Sequence, residues 1–481
     1  MISVLAGLLT EPKHYAQGIR LDWLLRLVFS KAQGQRKPSS EEISRALNAG
    51  LERAGVLRLE DPSEDLSCHL ITTPKGNFRI FTGQWETAGP YTQTLLDAFQ
   101  ALPDGPWKRD VLASTHAALR LSDALAERSG VVPLVETGGA PQGNLLVPNI
   151  RTLKRLASRV RFSDADLADL GIDKGTLVPF IIDPRDYPYV SDRKPGDTPL
   201  ELHPLLIFSN GIIIASPAGI SLAIRAILVN AAKQGGVDKS LSYFLLKAQQ
   251  KYSETSGFWP VRNLALPPPD KHFLRVATCQ FAEGHFLQVI QVPVTFDTFP
   301  QLGFGSVVEL SEHASRAIAN YVHEFWEFLG QQINYRKGIT VVLMSGWGTP
   351  HTMAPPIANS REPEDWQFLY LSFADSAILG ACEGGKFSDV IRIFQQVKCL
   401  DREGFVFQNA NGTLNLFGFW RHTNSHLIPE HWEMEPPCLV SIPTDELLNP
   451  RLEAVRRIDM RGLPLPEDGF RTDRPPLGGP G

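Results

Sequence analysis

Residues 204–236, PLLIFSNGIIIASPAGISLAIRAILVNAAKQGG, read as strand, tight turn, strand and helix. Asn210-Gly211 is the pair that type I′ hairpin turns select, because both central positions need positive φ; the second strand then starts at Ile212. Ser216-Pro217 reads as a helix N-cap followed by proline at the first helical position, and Gly235 marks the stop. Within that helix Ile220, Ile224, Ile227, Leu228 and Ala231 share one stripe, while Leu222 and Val229 face the other way. The helix is therefore expected to be covered on both sides.

Working back toward the N-terminus, TLVPFIID (176–183) reads as a strand and RTLKRLASRVR (151–161) as a basic helix. FSDADLADLG carries a capping-box spacing, Ser163 to Asp166, and a C-cap glycine at Gly171. Residues 19–56 and 107–129 have helical apolar spacing, as does YTQTLLDAFQAL (91–102). LSCHLITT and NFRIFTG flank Pro74-Lys75-Gly76 as a hairpin, and GGAPQGN (138–144) reads as a boundary loop.

Forward of the opening stretch, Pro267–Pro269 breaks the chain. A long hairpin follows, turning at Glu283-Gly284 within FLRVATCQFAEGHFLQVIQVPV (273–294). SEHASRAIANYVHEFWEFLGQQ (311–332) is a helix by periodicity, GITVVLM (338–344) a buried strand, and DWQFLYLSF (365–373) another strand ahead of a helix near 387–398. A third hairpin turns at Asn411-Gly412, and from about Asn449 the chain is polar and rich in Pro, Gly and Arg.

The fold class these elements imply is α/β to α+β: multi-domain, with hairpin-rich mixed sheets covered by helices. The expected divisions are a helical domain with a β-hairpin at 1–140, an α/β domain with the hairpin-helix unit at 141–268, an α/β domain with long hairpins at 269–448, and a flexible tail at 449–481. Hairpin followed by helix occurs twice, but the residues do not align and no third copy exists, so this is not a repeat array.

At 481 residues the chain exceeds the size at which one core keeps growing, which is the basis for expecting several domains. Its 43% hydrophobic and 21% charged residues exclude the composition of a disordered protein. A net charge of −5 gives no global attraction to polyanions, so any nucleic-acid contact needs a local basic patch. The five cysteines are dispersed with no CxxC pair, which suits reduced thiols in the cytoplasm and excludes a cysteine-only zinc knuckle. The first apolar run is short and lacks a basic segment ahead of it, which reads against a secretory signal, and no uninterrupted span suits a membrane helix.

Several constellations could carry chemistry. Asp183 and Asp186, with Glu201 and His203, are oxygen and imidazole donors of the kind that hold magnesium or manganese for phosphodiester hydrolysis. The following strand, Ile212 to Ser216, lacks the acid-x-lysine pair of restriction-type nuclease cores, and turn formation around Pro184 accounts for both aspartates. Arg151, Lys154, Arg155 and Arg159 recur at three- and four-residue spacing, a stripe able to follow phosphates or to stand solvated beside Asp164, Asp166 and Asp169.

His422, His426 and His431 form a histidine cluster in FWRHTNSHLIPEHW, where Pro429 breaks any shared helix. HEFWE places His323 and Glu327 four residues apart but lacks the second histidine of a zinc-peptidase helix, and with Arg316 and Asn320 it reads as a solvated face. Gly346 and Gly348 make only a partial phosphate loop, beside Trp347 and His351. No nucleophile elbow is present, and Cys68-His69 are adjacent strand positions that point to opposite faces.

The reading these residues support is a cytoplasmic binding or scaffold module with a protein partner, since each candidate site lacks a required residue. The alternative is a magnesium- or manganese-dependent phosphoesterase or nuclease acting on nucleic acid, with the acidic set as ligands and the arginine stripe on the phosphate backbone.

Overall fold

The computed structural model describes residues 1–11, 18–31, 39–53, 68–81, 88–131, 149–183, 199–208, 210–252, 259–260, 274–282, 285–292, 308–309, 337–344, 352–353 and 366–372, and helical positions between 316 and 331. Helices and strands are mixed in an α+β arrangement of small sheets. By its internal contacts the chain divides into two units, the first mainly 1–99 and 103–236, the second mainly 237–297 and 307–481.

The first unit starts with helices α1 (Ile2–Leu8), α2 (Gly18–Lys31) and α3 (Ser40–Arg53). The hairpin β1 (Cys68–Thr73) and β2 (Gly76–Phe81) follows, then α4 (Ala88–Ala101), α5 (Pro106–Ser129) and α6 (Ile150–Arg159). Short β3 (Arg161–Ser163) and α7 (Asp164–Asp169) lead to a 3-10 helix at Lys174–Phe180 and to β4 (Ile181–Ile182). The hairpin β5 (Leu205–Phe208) and β6 (Gly211–Ile214) and helix α8 (Gly219–Gln234) complete it. The sheet order is β3-β6-β5-β4, antiparallel except for the β4–β5 pair.

The turn between β5 and β6 differs from the expected one. Phe208 pairs with Gly211, which leaves positions 209 and 210 to connect the strands and puts Gly211 inside β6 rather than in the turn. Glycine is required there for another reason: a Cβ on Gly211 would stand 2.1 Å from the Phe162 carbonyl oxygen of the neighbouring β3. Close backbone approach, and not positive φ, selects this residue.

Helix α8 is buried on both faces as expected, with Leu222 and Val229 as inaccessible as Ile220 and Ile224. It begins two residues later than its Ser-Pro signal, yet the Ser216 hydroxyl still accepts from the Gly219 amide at 3.2 Å. Its register also buries Arg225, whose guanidinium lies 5.8 Å from the Tyr91 ring and whose Nε donates to the Ser221 carbonyl at 3.4 Å. Burial pulls the Arg225 pKa down to about 10, so it stays charged at neutral pH, and burial pushes the Tyr91 hydroxyl up.

TLVPFIID is a strand only at its last two apolar residues. The Asp173 carboxylate accepts from the Gly175 amide at 3.0 Å and the Asp173 carbonyl from the Thr176 amide at 2.9 Å, winding the segment into a 3-10 turn. Pro179 has no N–H to give a ladder, so local capping wins over β-branched propensity.

The β1–β2 hairpin forms where expected but with a shorter turn: Thr73 is opposite Gly76, so Gly76 opens β2 and only Pro74 and Lys75 connect the strands. Its edge is closed by a side chain: Gln93 accepts from the Thr72 amide at 2.7 Å and donates to the Thr72 carbonyl at 3.1 Å. The carboxamide thus imitates a neighbouring strand and covers the β1 edge. Arg79 of β2 is tied to α5 through Asp123, Nε to Oδ1 at 2.7 Å.

The second unit contains α9 (Asp238–Tyr252) and a five-stranded mixed sheet. Its strands are β7 (Trp259–Pro260), β8 (Leu274–Ala282), β9 (His285–Val292), β11 (Lys337–Met344) and β13 (Trp366–Ser372), with β10 (Val308–Glu309) and β12 (Thr352–Met353) paired separately. The order is β13-β11-β9-β8-β7, and β11 runs parallel to both its neighbours, which suits the continuous apolar run of GITVVLM. The β8–β9 hairpin turns between Ala282 and His285, as expected. Gln291 of β9 donates to Gln249 of α9 at 2.5 Å, a buried amide pair that fixes helix against sheet.

Candidate functional site

Helix α6 combines opposite demands on its two faces. Leu153, Leu156 and Val160 are buried, each contributing about 1.5–3 kcal/mol relative to exposure. Leu153 and Leu156 join Leu5 and Leu8 of α1 and Leu21, Leu24 and Leu25 of α2 in one core cluster. The Asn149 side chain caps the helix, accepting from the Thr152 amide at 3.0 Å. Arg151, Lys154, Arg155 and Ser158 project from the opposite face, all exposed.

Two contacts clamp this helix in place. Gly7 of α1 lies against the Leu156 backbone, and the Arg159 guanidinium is ion-paired with Glu11 just beyond α1. Arg159 therefore serves the α1–α6 junction, and the exposed basic face consists of Arg151, Lys154 and Arg155. Among the described residues these three cations make no ion pair.

Two of the three acids expected to neutralise the stripe are engaged elsewhere, and the third, Asp169, is exposed. Asp164 pairs with Lys174 at 2.9 Å, and Asp166 pairs with Arg128 of α5 at 2.5 Å. Arg128 also donates to the Arg161 carbonyl at 2.8 Å and stacks 3.8 Å from the Phe162 ring centroid. The capping box is present: Asp166 accepts from the Ser163 amide, and the Ser163 hydroxyl accepts from the Asp166 amide. The Ser163 hydrogen bonds and, beyond them, the charge of Arg128 hold the Asp166 carboxyl below the usual carboxylate range.

Of the acidic set, Asp183 and His203 are placed, one at each end of the β4–β5 pair. Ile181 is opposite Leu205 in this parallel ladder, so Asp183 follows the carboxyl end of β4 while His203 precedes the amino end of β5. Four residues of register, roughly 13 Å, separate those two levels. His203 Nδ1 sits 3.1 Å from the Pro179 carbonyl oxygen. Asp186 and the Glu201 side chain lie outside the described residues, as do His422, His426 and His431 and the Gly346–His351 loop. His323 and Glu327 pair with one another at 3.3 Å on the face where Arg316 and Glu324 are exposed, while Tyr321 and Phe325 are buried, the polar-face arrangement their spacing predicts. Among the described residues no group of three or more His, Cys, Asp or Glu side chains is placed to hold a metal ion, and no helix is long and apolar enough to cross a membrane.

Sequence reasoning missed Arg128, Gln93 and the Glu11–Arg159 pair, all contacts between residues far apart in the chain. The only local signal is that Arg128 lies in the last turn of α5, where a cation favours the helix dipole.

No curated protein and no solved structure matches this chain. A family model for anti-phage proteins matches residues 1–461, and the chain belongs to that Upx-like anti-phage protein family.

Proposed function

We propose that this protein acts in the cytoplasm of a cell under phage attack as a non-catalytic binding module, and that the exposed face of α6 is its recognition surface. Family membership supports the defence role. The observation that carries the binding role is the clamped α6 face, on which Arg151, Lys154 and Arg155 are exposed while Asp164 and Asp166 serve Lys174 and Arg128. A rigid helix loses little freedom when a partner docks, so its contacts are not offset by ordering costs. The dispersed cysteines suit the reducing cytoplasm.

The experiment is an efficiency-of-plating assay with a phage panel, on cells expressing the wild type, an Arg151→Gln/Lys154→Gln/Arg155→Gln variant, or an Asp183→Ala/Glu201→Ala variant. Protection is expected from the wild type and the acidic-site variant and is expected to be lost in the α6 variant, at equal soluble expression. The reverse pattern, with the acidic-site variant inactive and the α6 variant protective, would instead establish the magnesium- or manganese-dependent phosphoesterase reading.

A further inference from the structure

We infer that the α6 face binds the phosphate backbone of nucleic acid without reading its sequence; this rests on the binding role proposed above and names the occupant of that surface. Arg151, Lys154 and Arg155 lie within about 6 Å along the helix axis, comparable with two phosphate steps of one strand at roughly 3.4 Å each. Two of the three are arginines, whose planar forks match phosphate oxygens bidentately.

The other face of α6 separates nucleic acid from its rivals. A protein interface is organised around a buried apolar or aromatic centre, yet the fourth exposed position here is Ser158 and the leucines point into the core. A membrane-surface helix inserts its apolar face between lipids, and in α6 that face is buried among α1 and α2. What remains available is positive charge and hydrogen-bond donors, which suit an anionic backbone. The overall charge of −5 adds no global attraction, so binding rests on the local patch and is weak and salt-dependent in proportion to its few phosphate contacts.

The test is fluorescence polarisation of the full chain with labelled random-sequence duplex DNA and single-stranded DNA, between 50 and 200 mM salt. Three phosphate contacts give a log–log salt slope of about −2.7 on duplex, a loss of roughly 40-fold across that range. The Arg151→Gln/Lys154→Gln/Arg155→Gln variant is expected to lose that component on every sequence, while Arg151→Lys/Arg155→Lys keeps it. Matching melting temperatures of all three proteins exclude unfolding as the cause.

No binding by the wild type at 50 mM salt, or an unchanged slope in the glutamine variant, overturns the inference. So does binding of a poly-glutamate peptide or anionic vesicles that depends on these residues while DNA binding does not. Lost plating protection with unchanged nucleic-acid affinity would leave the α6 surface functional but its occupant wrongly assigned.

Discussion

Gly7 and Leu156 meet backbone to backbone: a Cβ on Gly7 would stand 2.4 Å from the Leu156 carbonyl oxygen. That closeness lets α1 and α6 share a core despite their short lengths, and it sets the direction in which the basic face points.

Gly7→Ala is therefore expected to destabilise the first unit. Alanine improves helix propensity by up to about 1 kcal/mol, but a clash with backbone cannot be relieved by a rotamer change, and overpacking costs roughly 1–3 kcal/mol. A net loss of about 1 kcal/mol should appear as a lower urea midpoint. An equal or higher midpoint would show that the helices separate freely and would remove the rigidity argument for α6.

The Arg128–Asp166 pair joins residues 38 positions apart and is about one-third exposed on each side. Solvent screening limits its direct coupling to about 0.5–1 kcal/mol in a double-mutant cycle of Arg128→Met and Asp166→Asn. Asp166→Asn also loses the carboxylate of the capping box, so that single variant is expected to cost about 1 kcal/mol. Because the folded carboxyl titrates below its unfolded value, the stabilisation is complete above the unfolded pKa of about 3.9 and fades as pH falls through the folded one. A wild-type advantage over Asp166→Asn that persists undiminished at pH 2 would contradict this account.

His116 gives a second pH dependence in a milder range. Its Nδ1 is buried without a hydrogen-bond partner among the described residues, the Phe78 ring stands edge-on with centroids 6.4 Å apart, and burial, then Lys75 and Arg120, lower its pKa. The unfolded chain takes up a proton near pH 6.5 that the folded chain refuses, so stability is full above that pH and declines below it. His116→Gln should flatten the melting temperature between about pH 6.5 and 5. Identical pH profiles for variant and wild type would rule out His116 as the source.

Magnesium, manganese and EDTA are expected to leave the melting temperature unchanged, in the wild type and in Asp183→Ala/Glu201→Ala alike. A ligand bound only by the folded state at 100 times its Kd would add about 2.7 kcal/mol. A metal-dependent rise that disappears in the double variant would return the acidic set to candidacy as a catalytic centre.

Elements whose signals lie within a few residues were legible in the sequence. The capping box at Ser163, the C-terminal glycine after α7, the existence of the hairpin around Pro74-Lys75-Gly76 and the two-sided burial of α8 all follow from contacts one turn or one strand pair long. The candidate site was half legible: spacing put Arg151, Lys154, Arg155 and Arg159 on one helix, because a 3.6-residue period is a property of the backbone alone.

Packing decided the rest. Arg159 left the stripe because Glu11, 148 residues away, reached it, and Asp166 turned to Arg128. Gly211 moved from turn to strand because β3 came within reach of its α-carbon. His203 and Asp183 share a short stretch of sequence yet sit at opposite ends of a parallel ladder, since strand direction sets their separation and no local residue encodes it. Local sequence determines which helices and turns can form through short-range backbone energetics; which charges remain exposed depends on distant partners, and only the tertiary structure supplies those.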